Sequence, residues 1–371
     1  MSRLGARATV GALVVTASAG HVLYPAWLRF VARRREVVAP LDPTSWPPLS
    51  VVVPAYREAR VIGAKVEDLR SNGYRGELEI LVVADGDPAT AAAAEAAGAC
   101  ALTGPERLGK SQALNSGVAA ASHELVVLTD ANNRLAPGSL AKLVRWFADP
   151  GVGAVAGEKV EDDGAEQLYW SFESWLKRRE VETGTTIGLI GELAAVRSAA
   201  WRPIPVDVAI DDLWIALDLC DRGEAIAYEP EARAFEPPGD SLRFQWQRRT
   251  RNVAGALRVL WDRRAQLRPR RGGVAGQIWG HRLWRYTGGP AAHLALLGVA
   301  GSRARTSRLA RAFLGGHLVG ALALAGAAAN RSMPAPLPAA GEILFLQAVA
   351  IGGWLRLARN EQVVRWPKVD R

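Results

Sequence analysis

Leu125-Val-Val-Leu-Thr-Asp130-Ala-Asn132-Asn133 is an apolar run of strand length that stops at a carboxylate, followed by two side-chain amides and then Pro137-Gly138. In a parallel α/β sheet, ligands bind at the carboxyl ends of the strands, so Asp130 stands where chemistry is usually done. A carboxylate with an amide two residues on offers hard oxygen ligands to a divalent cation. Magnesium takes one or two protein carboxylates and lets substrate phosphates supply the rest. The plain alternative is a strand whose Asp begins a turn or caps the next helix.

The flanking sequence decides between them. Ser50-Val-Val-Val-Pro54 predicts a buried strand ending in Ala55-Tyr56-Arg57-Glu58, and residues 60–72 predict an amphipathic helix. Leu78–Ala84 predicts a second strand, ending in Asp85-Gly-Asp87. An Ala-rich helix over 88–98, a short strand over 101–103 and a helix over 111–121 follow. Alternating strands and helices are the signature of a parallel sheet with right-handed crossovers. Arg107-Leu-Gly109-Lys110-Ser111-Gln112-Ala-Leu-Asn115 sets a glycine and a lysine at a helix start. A cation and free backbone N–H groups together make a seat for a diphosphate. The glycine spacing is not that of a Walker motif. Taken alone, Lys110 also reads as a solvated lysine at a helix start.

Val53-Pro54-Ala-Tyr56-Arg-Glu58, Val83-Ala-Asp85-Gly-Asp87, Gly109–Asn115 and Thr129-Asp130-Ala-Asn132 resemble, in order, the motifs of inverting family 2 glycosyltransferases. The resemblance covers about residues 48–290. It implies an α/β chain of the GT-A fold with a mixed, mainly parallel sheet, a nucleotide-diphospho-sugar donor and a divalent metal, Mg2+ or Mn2+. It further implies that Asp85 recognises the nucleobase, commonly uracil, and that Lys110 lies near the diphosphate. Pro54, Tyr56, Glu58 and Asn115 belong to the same nucleotide-binding motifs. Asp130 and Asn132 are the counterpart of the family's Asp-x-Asp metal motif, with Asn in the second place.

Ile210-Asp211-Asp212-Leu213 precedes a helix, where two carboxylates also serve simply as complements to the helix dipole. The family carries an acidic pair here whose second member is the catalytic base, which assigns Asp212. Inverting transfer requires the acceptor hydroxyl to lose its proton as it attacks, and a neighbouring carboxylate such as Asp211 tends to raise the base's pKa. The departing diphosphate is stabilised by metal and cations, so no second acid is needed. Further on, Trp246-Gln-Arg248-Arg249-Thr-Arg251-Asn252 lies before Gly255. Processive members of the family carry Gln-x-x-Arg-Trp at this place. This chain keeps only the Arg, so Arg248 and Arg251 are the candidates for substrate contact and processivity is in doubt. The aromatic residues of 168–183 (Tyr169, Trp170, Phe172, Trp175) suit either a core face or sugar stacking. Ile187–Arg197 resembles the family's small-residue stretch beneath the acceptor sugar.

Composition bounds the setting. The chain has 371 residues and a formal net charge of +9, with Arg concentrated at 31–35, 243–285 and 303–311. Such patches suit anionic lipid, phosphorylated substrates or nucleic acid. Zinc-finger, RNP and basic-zipper patterns are missing from the sequence, so no nucleic-acid partner is expected. Cys100 and Cys220 stand far apart, without metal spacing or a disulfide framework.

Residues 1–36 read as a transmembrane anchor: Ala8 to Leu28 is long enough to cross a bilayer, although His21 and Pro25 interrupt it. A signal peptide would have a shorter apolar core and a small-residue cleavage site. Here Arg33-Arg-Arg35 follows, which by the positive-inside rule puts the chain beyond it in the cytoplasm. Residues 37–49 read as a Pro-rich linker, 50–265 as the catalytic domain and 266–300 as an interfacial or re-entrant segment. Residues 301–371 read as a hairpin of spans (312–329 and 340–355) with a basic tail that includes Arg356, Arg359, Arg365 and Lys368. The expectation is a multi-pass protein of the cell membrane, its catalytic domain cytoplasmic, acting on a glycan or lipid acceptor in contact with membrane lipids. Two rival readings are a non-catalytic scaffold subunit and a nucleotidyltransferase. The latter would leave the acidic pair after residue 210 without a task.

Overall fold

The computed structural model describes residues 3–32, 37, 41–161, 166–236, 241–268, 273–329, 334 and 336–361. The Arg33–Arg35 cluster, residues 38–40 of the expected linker, and Arg365 and Lys368 lie outside the described residues. The chain divides into two compact units. One is drawn from Ala32–Asp162 and Trp170–Pro238, with the terminal residues. The other is drawn from Met1–Val31, Asp163–Tyr169 and Gly239–Glu361.

The first unit is built on a sheet of eight strands: β1 (Leu49–Ala55), β2 (Leu78–Ala84), β3 (Cys100–Thr103), β4 (Leu125–Thr129), β5 (Arg134–Leu135), β6 (Val152–Glu161), β7 (Leu193–Arg197) and β8 (Ala225–Glu236), in the order β3-β2-β1-β4-β7-β6-β8-β5. β1 and β4 are continuous apolar runs because both of their faces are covered; every residue of β4 is buried. β1 pairs in parallel with β2 and with β4, and β2 with β3. β7 runs antiparallel between β4 and β6, while β6 pairs in parallel with β8. This is the mixed, mainly parallel GT-A sheet that the resemblance implied. It directs the carboxyl ends of β1, β2 and β4 to one edge, where Tyr56, Asp85 and Asp130 follow.

The sequence did not announce β5 or β8. β5 has two residues, and β8 interleaves Ala with charged residues, a poor strand composition. Pro230 sits within β8 where the pairing with β6 jumps from Ala156↔Tyr228 to Glu158↔Arg233. A proline is tolerated in a sheet at such an irregularity because no ladder N–H is needed there.

The helix Glu166–Val181 corrects the core reading of its aromatic residues. Its buried positions are Glu173, Ser174, Leu176, Lys177 and Glu180, while Phe172 and Trp175 are only half-buried. Polar groups can line that face because they are paired. Glu158 accepts from the Ser174 and Tyr228 hydroxyls, and from Lys177 Nζ at 2.9 Å.

In the second unit, three helical segments among the described residues are long and apolar enough to cross a membrane: Arg7–Val31, Arg308–Ala328 and Leu337–Ala358. The last two pack against each other as a pair. Residues 288–300, within the segment expected to be interfacial or re-entrant, lie in the helix Gly288–Arg303, which packs on the helix Arg3–Ser18. The helix Tyr24–Val31 passes the π-helical segment Ile278–Leu283 so closely that a Cβ on Gly280 would lie 2.0 Å from the Tyr24 ring.

One close approach bears directly on the catalytic edge. A Cβ on Gly117, in the helix Lys110–Ala120, would meet Val52 Cγ1 at 2.3 Å and Val83 Cγ2 at 3.0 Å. Gly117→Ala is therefore expected to push that helix off β1 and cost about 1–3 kcal/mol of stability, in the range of core overpacking. A thermal melt with an unchanged Tm would contradict this packing.

Candidate active site

The site grows from the ends of β1, β2 and β4. After β1 the chain turns through Arg57, which has the left-handed φ of 56°, uncommon for a residue with a side chain. The turn is held by β2's loop. Asp87 Oδ2 accepts from the Arg57 N–H at 2.7 Å and from Thr90 Oγ1 at 2.5 Å, and Thr90 Oγ1 accepts from the Glu58 N–H at 2.9 Å. Burial opposes the charge on Asp87, but the donors Thr90 and Arg57 outweigh it and hold its pKa below the ordinary value. Tyr56 then carries the Arg107 guanidinium over its ring, 3.9 Å from the centroid. Glu58 contributes its carbonyl, which starts the following helix by accepting from the N–H groups of Val61 and Ile62. Pro54 lies within β1, opposite Val83.

Asp85 spends both oxygens on the loop that leads to Lys110. Oδ1 accepts from Leu108 N–H at 2.7 Å and Oδ2 from Gly109 N–H at 2.8 Å, with Arg107 Nε at 4.0 Å. Gly109 takes φ 97°, a conformation that only glycine adopts readily, and the helix begins at Lys110.

From that helix start, Lys110 Nζ reaches Asp130 Oδ1 at 2.7 Å and Asp211 Oδ2 at 3.8 Å. Burial would lower the Lys110 pKa, yet Asp130, Asp211 and Glu192 together raise it above the ordinary lysine value. Burial pushes Asp130 up, to about 6, with Lys110 pulling against it and Glu192 and Asp211 adding to the rise. Glu192 itself is held down at about 2, because Lys159 and Lys110 overcome its burial. Lys159 Nζ lies 3.0 Å from Glu192 Oε1, pairs with Glu236, and stands 4.7 Å from the Trp170 ring centre. Lys110 thus faces three carboxylates, and the cluster carries more negative than positive charge. Its members are not sealed: the side chains of Lys110 and Asp130 keep 34% and 27% of their exposure.

The rest of the Gly109–Asn115 motif works on the chain itself. Ser111 Oγ donates to the Val208 carbonyl at 3.0 Å and Gln112 Nε2 to the Ile204 carbonyl at 3.0 Å. Asn115 donates to that same carbonyl at 2.9 Å and accepts from the Ile204 N–H at 2.8 Å. Asn115 was expected to bind nucleotide; both ends of its amide instead hold the 204–208 loop that leads to the acidic pair.

At the end of β4 the second amide, Asn133, is the buried one, while Asn132 is half-buried. Asn133 Nδ2 donates to the Glu192 carbonyl at 2.8 Å, as does Thr129 Oγ1 at 2.9 Å. Its Oδ1 accepts from Lys65 Nζ at 2.6 Å, and its carbonyl accepts from the same ammonium at 3.1 Å. The turn after Asp130 is thereby tied to the loop bearing Glu192. Lys65 and Lys159 escaped the sequence reading because mid-element polar residues look solvated until the fold buries them, and Glu192 and Asn133, quoted there without a role, stand in connections whose partners only the fold supplies.

Asp211 and Asp212 open the helix Asp211–Asp221. Consecutive helical residues diverge by about 100°, and here Asp211 turns to Lys110 while Asp212 Oδ1 accepts from the Leu213 N–H at 2.7 Å. Arg248 and Arg251 belong to the other unit, on the helix Leu242–Asp262, where Arg251 is buried and its Nη2 donates to Asn252 Oδ1 at 3.1 Å.

A divalent cation fits this chemistry in one way. Among the described residues no group of three or more His, Cys, Asp or Glu could hold a metal ion. Asp130 offers a single accessible carboxylate within an excess of negative charge, which suits an ion completed by substrate oxygens.

Residues 50–204 match the model of the family described as glycosyl transferase family 2. They form a family 2 glycosyltransferase domain. Relatives of this chain include an N-acetylglucosaminyltransferase of Rhizobium sp. (strain N33), 25% identical over 295 residues, or 67% of this chain and 65% of that protein. A poly-beta-1,6-N-acetyl-D-glucosamine synthase of Staphylococcus aureus (strain COL) is 26% identical over 166 residues, 42% of this chain and 40% of that one. The chain therefore spans less than two thirds of the length of these curated relatives. Among solved structures, a mannosyltransferase from Pyrobaculum calidifontis in complex with GDP-Man and Mn2+ superposes with a TM-score of 0.77 at 26% identity, covering 95% of this chain and 99% of that one.

The Lys65 network in this family 2 domain has a pH signature. Burial depresses the Lys65 pKa to about 8, against the partial support of Asp68. Between about pH 8 and 10.5 the unfolded chain holds the proton that the folded chain gives up. Folding stability should therefore rise with pH across that window, by up to about 3 kcal/mol. Urea melts at pH 8 and 10 should show this gain in the wild type and lose it in Lys65→Met; an equal gain in both would remove Lys65 as its source.

Proposed function

We propose that this chain is a membrane-bound, inverting glycosyltransferase that moves a sugar from a nucleotide-diphospho-sugar to a glycan or lipid acceptor. The observation that carries the reading is Lys110 at a helix start, 2.7 Å from Asp130 and 3.8 Å from Asp211, within a family 2 domain. A diphosphate requires a cation and the positive end of a helix dipole, and Lys110 at the start of the Lys110–Ala120 helix offers both. The Tyr56–Arg107 stack supports a nucleobase seat beside the neighbouring strand end, and Asp85, whose oxygens accept from the Leu108 and Gly109 N–H groups, shapes the loop next to it. Relatives named for N-acetylglucosamine favour a UDP-linked donor, whereas the mannosyltransferase carries GDP-Man.

In this reading Lys110 leaves its carboxylate partners to meet the diphosphate, and Asp212 takes the acceptor's proton as its oxygen attacks the anomeric carbon. Asp211 holds Lys110 in place from the same helical turn. Asp130, with Asn132 beside it, would hold the divalent metal, which when bound supplies charge neutralisation for the departing diphosphate. The acceptor side, the roles of Arg248 and Arg251 and the cytoplasmic orientation belong to the same proposal. Arg356 and Arg359, at the end of the last apolar helix, favour that orientation.

The test is nucleotide release in membranes bearing the full chain, with UDP- and GDP-linked sugars in parallel. Asp212→Asn is expected to lower turnover about 10²–10⁴-fold with KM for the donor nearly unchanged. Full activity in that variant, with loss in Asp211→Asn, would move the base to Asp211. Lys110→Ala should weaken binding of the nucleoside diphosphate about 10–100-fold, the worth of one charged hydrogen bond. Titration calorimetry with UDP and GDP checks this.

A further inference from the structure

The helical unit contains a cavity of about 1130 Å³, beyond the usual range of small-molecule sites. It lies between the C-terminal ends of the helices Leu242–Asp262 and Leu337–Ala358 and the first turn of Gly288–Arg303. Leu257, Leu260, Leu267, Leu283, Trp354 and Leu357 make its wall apolar, and Arg258, Arg264 and Asp262 stand among its lining residues. Trp261 beside them is 69% exposed. Arg264 stacks over that indole, 5.5 Å from its centre, while Arg258 Nε is 3.8 Å from Asp262 Oδ2.

Two features point to the occupant. First, the cavity sits at the basic end of the apolar helix Leu337–Ala358, with Arg356 in its last turn and Arg359 just after it. Exposed tryptophan and arginine at the end of a span mark the level of lipid headgroups. Second, the lining combines hydrocarbon-like walls with two guanidinium groups against one carboxylate. Water gains nothing from apolar walls, and a free anion would leave them wet. An amphiphile fills both parts: its chain covers the leucines and Trp354, and its phosphate meets Arg258 and Arg264.

We propose that this cavity binds a membrane lipid with a phosphate headgroup and a net negative charge. The site rests on the membrane-bound part of the proposed function but is separate from the residues assigned to transfer, and it holds whether or not those assignments do.

The full chain, purified in neutral detergent, is titrated with dioleoyl-phosphatidylglycerol and with dioleoyl-phosphatidylcholine while bound lipid is counted by native mass spectrometry. The wild type should retain the anionic lipid preferentially. The double variant Arg258→Ala/Arg264→Ala should bind it about thirtyfold more weakly, as expected for two interfacial arginines. Asp262→Asn, which removes the opposing charge, should bind it more tightly, and this gain cannot come from misfolding. Ala358→Trp should exclude both lipids by filling the cavity, with its melting curve as the folding control. Equal retention of the two lipids, an unchanged affinity in the double arginine variant, or displacement of the lipid by inorganic phosphate would each overturn the proposal.

Discussion

A lysine held among three carboxylates organises this site. Lys110 is placed by the glycine turn at residue 109, and its ammonium draws Asp130 from the end of β4 and Asp211 from a distant helix to one point. Glu192 completes the ring of charge and is itself balanced by Lys159. Each member is tolerable in partial burial only because of the others, since an isolated charge there would lose far more in desolvation than it regains. The same dependence makes the cluster responsive: an arriving anion and cation can replace the internal partners one for one.

Beneath it lies a layer of hydrogen bonds that belong to the scaffold. Asn133 and Thr129 fasten the Asp130 turn to the Glu192 loop, and Asp87 with Thr90 fixes the left-handed turn at Arg57. Preorganisation of this kind matters because charged groups stabilise a transition state only when they already point the right way.

Much of this was legible in the chain, for physical reasons. Buried parallel strands write themselves as unbroken Val/Leu runs, so β1, β2 and β4 and the carboxylates that end them stood out. Glycine before lysine at a helix start was equally plain. β8 was hidden because its pairing, not its composition, makes it a strand. The motif that contains Asn115 was recognisable while the partner of its side chain was not: Ile204 lies 89 residues away. Lys65 and Lys159 were missed because a buried lysine has no local mark: only tertiary packing distinguishes it from a solvated one.

The hydrogen bonds from Ser111, Gln112 and Asn115 to Val208 and Ile204 join the helix that starts at Lys110 to the segment that delivers Asp211 and Asp212. The lysine and the acidic pair are therefore carried by a single mechanical part. Insertions or deletions between residues 204 and 210 would shift the acidic pair against Lys110, so this short segment should keep its length while its surroundings vary.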